Sequence, residues 1–218
     1  LPTLAEDATT EEWFQNESVW NPDYPWNIGE DWFIVDGYPT LEAPITWLDD
    51  PSYYDHELSG LGTQASPYLI TSNKELAGVA YLMLNYNSTY KNSYFRLTTD
   101  VDMSEYYWVP IGTTNALAFA GHFDGGNYTI SGVKTLSSWS GSGLFGTVIG
   151  TSASHAVIEN VVMEDITISA NSYGGGVVGV GEYVEISNCR VIGETNKLKG
   201  ARAGGVIGYA MNSEVRDS

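Results

Sequence analysis

Few side chains in this sequence are spaced to do chemistry together. A polysaccharide lyase needs a basic residue to abstract a proton, and a glycosidase needs two or three carboxylates on one face. The outward positions of a recurring strand read Ser131, Glu159, Ser187 and Arg216, so its one acid has no carboxylate partner on the next copy. Glu185 and Glu214 recur one residue before the strand's first position and should align, either as solvated neighbours or as a pair sharing a cation. Asp100 and Asp102 alternate, so both could project from one strand face toward calcium, although aspartate equally suits the turn that follows. His56, His122 and His155 lack zinc-ligand spacing. His122 lies in the run Gly121-His122-Phe123-Asp124-Gly125, which reads as a structural turn. There is no Ser/His/Asp arrangement, phosphate loop or dinucleotide fingerprint. The expectation is a chain with no catalytic residue, no metal site and no required cofactor, calcium being the alternative.

The aromatic residues offer a stronger lead. The chain has 15 tyrosines and seven tryptophans, and Trp13, Trp20, Trp26 and Trp32 follow one another at steps of seven, six and six. Rings so placed could stack on sugars, although tryptophans in a segment poor in aliphatic residues more often build a small core. Three sequons, at Asn16, Asn87 and Asn127, are candidate N-glycosylation sites.

The elements that must position these groups are announced by a repeat. Ile130-Ser131-Gly132-Val133, Ile158-Glu159-Asn160-Val161, Ile186-Ser187-Asn188-Cys189 and Val215-Arg216-Asp217-Ser218 follow one another at steps of 28, 28 and 29 residues. The first column is β-branched, the second polar, and the third holds the residue types that most easily adopt positive φ. This describes a strand with one inward and one outward residue, then a left-handed corner. Gly143-Leu144-Phe145-Gly146, Gly176-Val177-Val178-Gly179 and Gly205-Val206-Ile207-Gly208 repeat at steps of 33 and 29. A fixed period of this size means one unit stacked on itself. We therefore expect an all-β chain, a parallel β-helix, with Ile130, Ile158, Ile186 and Val215 as a buried ladder. Gly132, Asn160, Asn188 and Asp217 should share one corner column. The lone cysteine, Cys189, falls inward and excludes an intrachain disulfide.

Gly175-Gly176-Val177-Val178-Gly179-Val180-Gly181 and Gly204-Gly205-Val206-Ile207-Gly208-Tyr209-Ala210 resemble the GLUG motif of bacterial and archaeal surface proteins. Gly62–Ile70, Tyr94–Ser104, Trp108-Val109-Pro110-Ile111-Gly112 and Gly121–Gly132 follow in that family's order, so the resemblance covers about residues 61–218. It implies a right-handed parallel β-helix with the shape of pectate lyases, in large secreted adhesin-like proteins, and it carries over no catalytic site. Gly37-Tyr38-Pro39 and Leu41 are similar to the segment that closes one such domain before the next.

Charge and composition narrow the function. Residues 1–73 hold 14 acidic residues and no Lys or Arg, leaving 13 acidic and nine basic residues for 74–218, within a formal charge of −18. That field argues against nucleic acid and suits cations, basic partners or a salty medium. No stretch approaches the ~18 apolar residues of a membrane helix. Residues 1–48 form an acidic, aromatic-rich segment, read as the tail of a preceding domain. Residues 49–60 read as a linker, and 61–218 as the β-helix, truncated or continued by another subunit. Ser72-Asn73-Lys74-Glu75 is a capping box opening a helix over about 73–85, whose apolar face Leu76, Val79, Leu82 and Met83 should cover the end of the stack. The function expected is a non-catalytic, adhesin-like rod of a secreted or cell-envelope protein, with neighbouring domains, subunits or glycans as partners. The alternatives are a self-assembling sheath, fibre or surface-layer subunit, and a carbohydrate-binding module or polysaccharide-degrading enzyme.

Overall fold

The computed structural model describes residues 33–35, 38–40, 44–136 and 138–218. The chain divides into two units, Leu1–Ile45 and Thr46–Ser218. In the first, Phe33–Val35 pairs antiparallel with Tyr38–Thr40. The sequence of that stretch suggests one strand followed by a turn, and the backbone forms a two-stranded ribbon.

The second unit is a parallel β-helix. Each full coil supplies one strand to each of five sheets. The six-stranded sheet runs, from the first coil onward, through Tyr68–Ile70, Tyr94–Leu97, His122–Asp124, Ala156–Glu159, Val184–Ser187 and Glu214–Arg216, all parallel. Alternation sends Phe95, Phe123, Ile158 and Ile186 into the core, and the residues on either side outward. Two four-stranded and two three-stranded sheets complete the circuit. The glycine-flanked rungs stack as their spacing predicts, with Phe145 opposite Val178 and Val178 opposite Ile207. At the first coils the core is aromatic, Phe119 and Phe123 each lying 5.3 Å from Phe145, and it becomes aliphatic further along.

The four-residue repeat is three copies long in the structure. Ile158, Ile186 and Val215 form one ladder, but its preceding rung is Phe123, 35 residues before Ile158. Ile130 is buried in the neighbouring sheet, opposite Met163. The cause is a coil of unequal length. Seven residues are added: five because residues 150–155 join Ile149 to Ala156 where Tyr183 alone joins Glu182 to Val184 one coil later, and two because residues 125–128 join Asp124 to Thr129 where Asn160 and Val161 join Glu159 to Val162. Counting back one period from Ile158 therefore lands on the wrong sheet. Val215, expected to be buried, is 43% exposed on the last coil, as are Ile192 and Met211 at 41% each.

The corners divide in the same way. Gly132, Asn160, Asn188 and Asp217 all have positive φ, at 69°, 56°, 49° and 52°. Asn160, Asn188 and Asp217 share one corner, with the Asn160 and Asn188 N–H groups donating to the carbonyls of Ser187 and Arg216. Gly132 belongs to the next corner, above Asp165, and donates to Glu164 O.

The helix Asn73–Asn85 begins as its capping box requires, with Glu75 N donating to Ser72 Oγ at 3.2 Å. The Glu75 carboxylate reaches one residue further back than expected, accepting from the Thr71 N–H and hydroxyl. Leu76, Val79, Leu82 and Met83 are buried, and Leu76, Val79 and Met83 join the core that contains Phe95. The helix thus closes the first end of the stack. The polar segment 49–60 lies against this helix. Asp55 N donates to Lys74 O at 2.9 Å, Lys74 Nζ to Ser52 O at 2.8 Å, and the Tyr106 hydroxyl to Asp50 Oδ2 at 2.8 Å. The bond to Asp50 is the main reason the Tyr106 hydroxyl is pushed up to about 12. Trp47 is buried against Trp108 and donates through Nε1 to Val109 O.

Cys189 is fully buried, as its inward column requires, and burial pushes its thiol up to about 11. The thiolate is the reactive form, so a maleimide at pH 7.5 should leave Cys189 unlabelled in the native protein and label it on unfolding. Native labelling at the rate of a free thiol would show that the column is open.

Candidate functional site

Among the described residues, the outer face of the six-stranded sheet carries a connected set of interacting polar side chains. Its outward positions form two columns along the stack. One reads Tyr94, His122, Val157, Glu185 and Glu214; the other reads Arg96, Asp124, Glu159, Ser187 and Arg216. Strand spacing brings successive members of a column to about 4.8 Å apart.

Glu159, expected to stand without a carboxylate partner, has one. With Phe123 in place of Ile130, the residue beside Glu159 is Asp124, not Ser131. Two carboxylates therefore stand on adjacent coils, between two basic partners. His122 Nε2 lies 2.7 Å from Glu159 Oε1, and Arg96 Nε lies 3.5 Å from Asp124 Oδ2. Asp124 Oδ1 accepts from Gly126 N at 2.9 Å and Asn160 Nδ2 at 2.8 Å. Asn188 Nδ2 in turn donates to Asn160 Oδ1 at 2.8 Å and to Asn127 Oδ1 at 3.0 Å. The corner asparagines thus form a directional ladder that ends on the Asp124 carboxylate. The Tyr94 ring stacks on His122, with centroids 5.1 Å apart and planes 30° apart. His122 is therefore a strand residue facing outward, not part of a turn. The signal that could have located this group is the alternation His122-Phe123-Asp124, one large apolar residue between two polar ones.

Further along the face, Glu185 and Glu214 align as expected. His155 Nδ1 approaches Glu185 Oε1 to 3.4 Å without hydrogen-bond geometry, and Glu214 pairs with Arg216. The pairing holds the Glu214 carboxyl below its ordinary value.

The other residues singled out by sequence lie apart from this face. Asp100 Oδ1 accepts from Thr129 N, at the start of a strand one coil on, at 2.7 Å, and Asp102 Oδ1 accepts from Ser104 N at 2.9 Å, so one carboxylate ties two coils and the other fixes its own turn. Bonds from Ser104 are the main reason the Asp102 carboxyl sits below its ordinary value. Among the described residues, no group of three or more His, Cys, Asp or Glu side chains is arranged to hold a metal ion. His56 packs beside Tyr81, at 4.9 Å between ring centroids. Asn87 Nδ2 donates to Leu117 O at 2.9 Å, and Asn127 belongs to the amide ladder, so these two sequon side chains have structural partners. Trp13, Trp20, Trp26, Trp32 and Asn16 lie outside the described residues. No helix among the described residues is long and apolar enough to cross a membrane.

No protein-family model matches the chain. Halomucin of Haloquadratum walsbyi is 30% identical over 174 residues, a match covering 73% of this chain and 2% of halomucin. A crystal structure of a Bacteroides ovatus protein, provisionally titled an immunoglobulin A1 protease, superposes with a TM-score of 0.50 at 18% identity. The superposition covers 72% of this chain and 57% of that one, and it shows a shared fold alone.

Proposed function

We propose that this chain is a non-catalytic structural module of a secreted, cell-surface protein, a stiff segment of an adhesin-like rod. The observation that carries this reading is the unbroken parallel stack, closed at one end by the helix Asn73–Asn85 and internally tied by the asparagine ladder. A stack of this kind gains stability from contacts between neighbouring coils and presents a repetitive surface. Likeness to halomucin, by name a mucin, supports the surface location. The −18 charge supports solubility in a salty medium. The neighbours in this reading are further modules or subunits of the same assembly.

The acid pair Asp124 and Glu159 does not make the module a hydrolase in this reading. A glycosidase's general acid is usually seated in an apolar pocket. Here both carboxylates lie on an open sheet face, their side chains 20% and 33% exposed, and Asp124 has its oxygens engaged by its own fold. Incubation with neutral polysaccharides and polyuronates should release neither reducing ends nor unsaturated products. Turnover that disappears in Glu159→Gln would overturn the non-catalytic reading.

A further inference from the structure

The face around Tyr94 has the chemistry of a ligand surface. Part of it is ordered before anything binds: Tyr94 stacks on His122 and His122 is hydrogen-bonded to Glu159, while Arg96 stands in a looser 3.5 Å ion pair with Asp124. Groups fixed in this way lose little freedom on binding. They remain accessible, the side chains of Arg96, His122 and Glu159 being 56%, 28% and 33% exposed. Among the described residues, Glu159 Oε2 and the Ser187 hydroxyl beside it have no hydrogen-bond partner. The face therefore offers an aromatic ring, paired donors and open acceptors spread over four successive coils, with Tyr94 and Ser187 three strand spacings, roughly 14 Å, apart along the stack.

Its charge balance selects among ligands. Arg96 and Arg216 stand against Asp124, Glu159, Glu185 and Glu214, and each arginine is already paired. No uncompensated cation is left for a carboxylate or sulfate, so a polyanion would meet net repulsion. A cationic ligand would find three of these four acids already facing a hydrogen-bonded or ion-paired base, Asp124 with Arg96, Glu159 with His122 and Glu214 with Arg216. Hydroxyl groups both donate and accept, and sugar C–H faces stack on aromatic rings. The polar groups recur at about 4.8 Å along the stack, a ladder suited to a polymer that repeats its hydroxyls at a monosaccharide step.

We propose that the outward face of the six-stranded sheet, centred on Tyr94, Arg96, His122, Asp124 and Glu159, binds a neutral saccharide chain lying along the axis of the β-helix. This assignment rests on the non-catalytic reading above, with the face acting as an adhesive surface. Titration calorimetry with cellohexaose, mannohexaose and hexagalacturonate tests it on the full chain. At least one neutral hexamer should bind with saturable heat, and hexagalacturonate should not. Tyr94→Ala and the near-isosteric Glu159→Gln should each weaken the neutral hexamer by about tenfold. The thermal melt of Glu159→Gln should stay close to that of the parent, so that lost binding is not lost folding. Failure of both neutral hexamers to bind at millimolar concentration would overturn the proposal. So would equal binding of hexagalacturonate, or affinity unchanged in both variants. Cleavage of a bound neutral hexamer would support the ligand class while overturning the non-catalytic reading, which separates the two ideas.

Discussion

Replacing Ile158 with aspartate should unfold the middle of the stack. Ile158 is fully buried between Phe123 on one coil and Ile186 on the next, and Cys189 Sγ lies 3.7 Å from its carbonyl. The substitution removes a buried aliphatic side chain and places a carboxylate where its neighbours offer no charge partner. Losing the side chain alone costs about 2–5 kcal/mol, and the stranded polar group adds to that. For a domain of this size each kcal/mol shifts the melting temperature by about 2–4 °C, so a fall of about 10 °C or more is expected. Ile158→Val should cost only about 1 kcal/mol and serves as the control. An Ile158→Asp protein that melts with the parent would show that this column does not face a dry core.

The second large effect reverses a familiar sign. Gly78 lies in the middle of the helix Asn73–Asn85, where exchange of glycine for alanine ordinarily stabilises by about 0.5–1 kcal/mol. A Cβ at Gly78 would stand 1.8 Å from Asp55 O and 2.6 Å from Asp55 C. Those are backbone atoms, held by the bond from Asp55 N to Lys74 O, so they cannot step aside as a side chain would. Gly78→Ala should therefore destabilise by about 1–3 kcal/mol through overpacking. Ala80→Gly, on the same helix, should also destabilise, by the ordinary loss of helix propensity and of one buried methyl group. A stabilised Gly78→Ala would mean that segment 49–60 does not sit on the helix in solution.

Much of the fold is legible in local patterns, because a solenoid writes its tertiary contacts at a constant offset. The Gly-x-x-Gly rungs reveal the pairing of Phe145, Val178 and Ile207 because their glycines mark each copy independently of the spacing. The capping box reveals the helix start because Ser72 and Glu75 act within one turn. What the sequence conceals is the register across the long coil. A period is informative only while coils keep equal length, and residues 125–128 and 150–155 together break that condition. Ile130 matches the pattern of Ile158 and lies one ordinary period away, yet it pairs with Met163. The same slip hid the candidate site. In sequence Asp124 reads as part of a turn between glycines, and only the true partner of Ile158 brings it beside Glu159. The close approach of segment 49–60 to Gly78 has no local signature either, since it depends on a space left by an absent side chain.

The long coil also bears on how such a chain can change. Gly150 N still donates to Glu182 O, and Ala156 N to Tyr183 O, so the pairing with the next coil is kept on both sides of the added residues. Within the added stretch, Thr151 and Ser154 bond to each other and close it locally. Length is thus unconstrained at this corner while it is fixed a few residues to either side. Lineages could lengthen, shorten or re-letter this loop without renegotiating the core. Foreign epitopes inserted between Thr151 and Ser154 should be displayed on the protein with its stack intact.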